Sequence, residues 1–137
     1  MKNNFRLIIL LAAFAILFSG VVSAGAAESI KDPTLKDLQG HWQGNTSWER
    51  GYTTTVNMRV KGDTAYYSTE KGAYTGKITI KGEEITISPA SGRRTDTCKL
   101  SKDKDTLGLK CDVDQQAAPQ ANITRAMRGN MRLQKDK

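Results

Sequence analysis

Residues 97–113 read T-C-K-L-S-K-D-K-D-T-L-G-L-K-C-D-V. Pairing residues whose numbers sum to 209 across the polar centre sets Cys98 opposite Cys111 and Leu100 opposite Leu109. One register therefore aligns both thiols and both leucines, while the intervening positions are polar. That period of two is the mark of a half-buried strand. Directly opposed residues of an antiparallel pair come close enough for a disulfide when the pair is not hydrogen-bonded. The segment predicts a hairpin stapled by Cys98–Cys111, with its tip at Lys102–Asp105.

The flanking sequence repeats the device. In T-V-N-M-R-V-K-G-D-T-A-Y-Y (55–67), a turn at Gly62-Asp63 sets Val60 opposite Ala65 and Met58 opposite Tyr67. In K-I-T-I-K-G-E-E-I-T-I (77–87), a turn at Gly82-Glu83 pairs Ile80 with Ile85 and Ile78 with Ile87. Glycine first suits a type II′ turn, which needs positive φ there and matches strand twist. The segment M-R-G-N-M-R-L-Q-K (127–135) alternates as well, with Met127, Gly129, Met131 and Leu133 on one face and Arg128, Asn130 and Arg132 on the other. Adding a first strand near His41–Ser47 gives about eight strands. The expected fold is all-β, a small antiparallel up-and-down barrel whose last strand closes on the first.

The opening L-x-G-x-W-x-G, at Leu38, Gly40, Trp42 and Gly44, resembles the entry to the first strand of lipocalins and their calycin relatives. The resemblance implies a short helical lead-in and a tryptophan that plugs the closed end. In size the chain is more similar to bacterial metalloprotease inhibitors of calycin-like architecture. These share the L-x-G-x-W opening, one disulfide and a basic final strand, but carry their cysteines earlier in the barrel.

At the amino terminus, Lys2 and Arg6 precede an uncharged run from Leu7 to Ala27, which ends in small residues. This pattern reads as a secretory signal peptide over 1–26, with cleavage after Ala24 or Ala26. An uncleaved anchor is the alternative reading. Residues 27–37 follow as an amino-terminal segment and 38–134 as a single barrel domain. The expected location is periplasmic or secreted, with no stable membrane insertion once the leader is removed. Export also favours an oxidised Cys98–Cys111 pair.

Charge narrows the partners. Residues 27–114 carry 14 basic and 13 acidic side chains, whereas 115–137 carry 5 and 1. The basic excess falls on the polar face of the closing strand, which argues against a specific nucleic-acid partner. Two cysteines and one histidine cannot furnish a tetrahedral zinc site, and no metal or cofactor is expected. His41 stands alone on the face opposite Trp42. Ser101 to Lys104 matches S-x-x-K on a hairpin tip rather than at a helix start. Gly72 to Lys77 is one residue short of a phosphate loop. No catalytic residues emerge, and the protein is expected not to be an enzyme.

A meander places its connections alternately at two ends, and the three tight turns share one of them. The other end receives the stretches at 48–52, 70–72, 88–94 and 115–122. Rigid scaffolds carry binding residues on such loops, which makes Trp48, Arg50, Tyr52, Arg93 and Arg94 the candidate ligand- or partner-binding residues. Strands of five to eight residues with an Ile/Leu/Met interior leave little room inside. The sequence therefore favours a protein-interaction or inhibitor-like module over a barrel holding a small apolar ligand at its mouth.

Overall fold

A computed structural model describes residues 27–89, 92–118 and 123–137. The expected leader at 1–26 and parts of two mouth loops, 90–91 and 119–122, lie outside the described residues.

The elements in chain order are β1 (Glu28–Ser29), α1 (Leu35–Leu38), β2 (Gly40–Trp48), β3 (Thr53–Lys61), β4 (Thr64–Thr69), β5 (Gly72–Lys81), β6 (Glu84–Pro89), β7 (Arg94–Asp103), β8 (Thr106–Gln115) and β9 (Met127–Lys135). Strands β2 to β9 pair in sequence, all antiparallel. β9 returns to β2 with Trp42 opposite Lys135 and Trp48 opposite Gly129. The result is a closed eight-stranded barrel, which leaves no long sheet edge open to other chains.

All three predicted registers are present: Val60–Ala65 and Met58–Tyr67, Ile80–Ile85 and Ile78–Ile87, and Cys98–Cys111 with Leu100–Leu109. Gly62 and Gly82 have φ of 63° and 59°, as a II′ turn requires of its first central residue. The third turn is tighter than Lys102–Asp105, because Asp103 still pairs with Thr106. The disulfide joins Cys98 to Cys111. Closing a loop of this size stabilises by roughly 3 kcal/mol on the chain-entropy account.

The barrel has a filled end and an open end. At the filled end Thr34 caps α1: Asp37 N–H donates to its hydroxyl at 3.3 Å, and Asp37 Oδ2 accepts from Thr34 N–H at 2.9 Å. This capping box delivers Leu38, which is fully buried, beneath Trp42. Trp42 Nε1 donates to the Leu38 carbonyl at 2.8 Å, so the indole is anchored as well as packed. The amino-terminal segment also supplies β1, which was not expected. It pairs with Ser101 and Lys102, covering β7 beyond the point where β6 begins.

Toward the other end the seam between β6 and β7 parts. Their pairing spans only Ile85–Ile87 against Asp96–Cys98. Pro89 ends β6 and has no N–H to donate to a ladder. The strands there are longer than the sequence suggested: β5, β7 and β8 have ten residues each. Length and parting together leave space that the apolar residues do not fill.

Candidate functional site at the open end

The open end holds a cavity of about 800 Å³. Trp48, Arg50, Tyr52, Arg93 and Arg94 all line it, so the barrel brings the five sequence-chosen residues to one place. Trp48 reaches inward because the β2 alternation that buries Trp42 and Thr46 also points residue 48 to the interior. Its ring lies across Gly129, where a Cβ would come within 3.0 Å of Trp48 Cε3. Trp48 Nε1 donates to Thr54 Oγ1 at 2.8 Å. Tyr52 stacks beside it, ring centroids 6.1 Å apart, and donates its hydroxyl to Met127 Sδ at 3.0 Å.

Arg94 differs from the expectation. It is the first residue of β7, not a loop residue, and only 9% of it is exposed. Arg94 and Asp96 are two apart on one strand and so share its inner face. Arg94 Nε and Nη2 donate to Asp96 Oδ1 and Oδ2 at 2.8 and 3.2 Å, a bidentate pair of the stronger kind. Asp96 is fully buried and also accepts the Tyr67 hydroxyl at 3.0 Å. Tyr67 stacks on Tyr74 at 4.6 Å. The Arg94 guanidinium sits 4.8 Å from the Tyr74 ring centroid and 5.9 Å from that of Trp48, within cation–π range. Asp96, Tyr67 and Tyr74 were missed as site residues. The signal was available, since stepping back by twos from inward-facing Cys98 reaches Asp96 and Arg94.

The electrostatics follow from this packing. Burial pushes the Tyr67 hydroxyl well above its ordinary pKa, and the Asp96 charge adds to that. Burial also raises Tyr74, with Arg94 opposing and Asp96 reinforcing the shift. Burial works against the Arg94 charge, but Asp96 outweighs it and the guanidinium holds its proton more tightly. For the two tyrosines the folded chain keeps protons that the unfolded chain releases near pH 10. Their contribution to stability is thus complete below about pH 10 and lost as the pH rises above it. Alkaline titration followed at 295 nm and by circular dichroism should show two of the four tyrosines ionising only with unfolding. Ionisation of all four before any loss of structure would contradict the buried cluster.

Among the described residues, Thr46 Oγ1 and Tyr74 Oη are the buried side-chain polar atoms without a hydrogen-bond partner, and both residues belong to the cavity wall. No group of three or more metal-ligating residues occurs among the described residues, and no helix there is long and apolar enough to cross a membrane.

The sequence-based preference for a protein-interaction module rested on little room inside the barrel, and the open end holds a cavity. Fold and cavity together define a calycin-like barrel. No family model matches the sequence, and no curated protein matches it. Among solved structures, EF1p2_mFAP2b bound to DFHBI is similar at a TM-score of 0.49 and 21% identity, over 72% of this chain and 94% of that one.

Proposed function

We propose that the protein is an exported, non-catalytic binding barrel that holds one small molecule in the mouth beside Trp48. The observation that carries this reading is the cavity itself. At about 800 Å³ it falls within the roughly 300–1,000 Å³ range of small-molecule sites. Its wall combines aromatic faces (Trp48, Tyr52, Tyr74) with a few inward polar groups, the usual make-up of such sites. The described lining is also basic and hydroxyl-bearing, with Arg50, Lys71, Arg93, Arg94, Thr46 and Thr54 among its members. The disulfide suits an oxidising compartment, in keeping with export.

An uncharged fluorescent amine, N-phenyl-naphthylamine, tests the reading. Titration should show one site per chain, with Trp48 emission quenched as the probe fills. Trp48→Ala should weaken binding at least tenfold, as loss of a central aromatic anchor does. Tyr66→Ala, which removes a 42% exposed ring from the outer wall, should not. No saturable binding, or binding lost through Tyr66 instead, would sink the proposal.

A further inference from the structure

Resting on that ligand-binding reading, we infer that the ligand is an amphipathic organic anion: a flat apolar body bearing an oxyanion group that sits at the rim.

The inference comes from where charge is balanced and where it is not. Five basic residues line the cavity, namely Arg50, Lys71, Arg93, Arg94 and Arg125, and no acidic residue lines it among the described residues. Asp96 neutralises Arg94. The other four have no ion pair among the described residues, where the only other salt bridge joins Lys77 to Asp63 of the turn at the filled end. Glu49 and Glu70 stand next to the rim, but each is turned to a backbone N–H, Glu49 Oε1 to Arg128 at 3.1 Å and Glu70 Oε1 to Thr55 at 3.0 Å. The hydrogen bond from Thr55 holds the Glu70 carboxyl below its usual pKa, and the neighbouring Lys71 charge adds a smaller pull in the same direction. Residues 27–114, which supply four of the five, are almost charge-balanced as a whole, so their share of this excess belongs to the mouth. Like charges around one low-dielectric opening focus a positive potential there and attract anions.

Below the rim the wall is built for a planar body. Trp48 and Tyr52 are stacked with 25° between their planes, and Lys71 Nζ lies 5.2 Å above the Tyr52 ring. The cation thus stands where the aromatic wall meets solvent. Deeper in, Arg94 commits Nε and Nη2 to Asp96. Its remaining nitrogen, Nη1, is not used in that contact, and Arg94 lines the cavity. That N–H pair is a preset donor for a carbonyl or hydroxyl oxygen at the inner end of the ligand. Native interiors leave few buried polar atoms unpaired. The unpaired Thr46 and Tyr74 hydroxyls lie in this same wall, consistent with a polar group still to arrive.

Two probes that share an anilinonaphthalene body separate this inference from the reading beneath it. Anilinonaphthalene sulfonate carries an oxyanion, and N-phenyl-naphthylamine does not. The sulfonate should bind roughly tenfold tighter at low salt, since each part-exposed ion pair is weak and two or three must act together. Raising the salt to about 0.5 M should remove most of that advantage by screening. In Arg50→Gln with Arg93→Gln the gap between the probes should close to within about twofold. Lys110→Gln with Arg132→Gln, on the outer wall where the two pair across β8 and β9, should leave the gap intact. Equal affinity for the two probes would overturn the anion inference while leaving ligand binding in place. A gap that survives at the mouth but vanishes with the outer-wall variant would overturn it too. Failure of both probes to bind would remove the ligand-binding reading itself.

Discussion

Arg94→Met is expected to destabilise the barrel by about 3–5 kcal/mol, the usual cost of removing one partner of a buried ion pair. The cost arises from what is left behind. Asp96 is fully buried, and without Arg94 its carboxylate keeps a single side-chain partner, the Tyr67 hydroxyl. Asp96→Asn should cost less, about 1–3 kcal/mol, because the amide oxygen still accepts from Tyr67 and Arg94 reaches the cavity, where water can solvate it. The double change Arg94→Met with Asp96→Leu should recover much of the loss, since well-packed apolar replacements of buried pairs are often neutral or better. Urea unfolding midpoints of the three variants give the ranking. A loss under about 1 kcal/mol for Arg94→Met would mean that the pair is solvated and not buried.

Trp42→Ala should cost about 3–5 kcal/mol, as a large-to-small change in a site with no exposure. The indole is held from three sides: by Leu38 beneath it, by the hydrogen bond to the Leu38 carbonyl, and by Lys135 Nζ 5.8 Å over the ring. Removing it also releases α1, whose only buried residue is Leu38. Trp48→Ala should cost only about 1 kcal/mol, because that ring is half-buried and one face looks into the cavity. The two tryptophans are thereby assigned opposite duties, one closing the barrel and one furnishing its mouth. Equal, large losses for both would show that Trp48 is core and would remove the open end from the account.

The registers were legible because each hairpin carries two independent constraints that agree: a turn residue of defined conformation and a pair of apolar or sulfur-bearing residues. The rule that set Cys98 opposite Cys111 extends without change to Arg94 opposite Gln115. Arg94 was nevertheless assigned to a loop. The stretch S-P-A-S-G-R-R reads as turn chemistry, and a buried arginine is uncommon without a partner. Its partner stands two residues on, and opposite charges at that spacing on one strand are the signal to look for. The cavity was not legible for a different reason. It depends on the parting of β6 from β7 and on ten-residue strands, which are properties of how eight strands close. Their individual patterns do not contain it. β1 was invisible because two residues show no periodicity.

The chain has two tryptophans, so an ¹⁵N-labelled sample gives two indole N–H resonances that report on opposite ends of the barrel. Trp42→Phe or Trp48→Phe assigns them. Titration with anilinonaphthalene sulfonate is expected to move the Trp48 resonance progressively and to saturate at one probe per chain. The Trp42 resonance, hydrogen-bonded to Leu38 at the filled end, should stay in place. A Trp48 signal that does not respond while the probe binds, or a Trp42 signal that moves with it, would contradict a ligand site at the mouth.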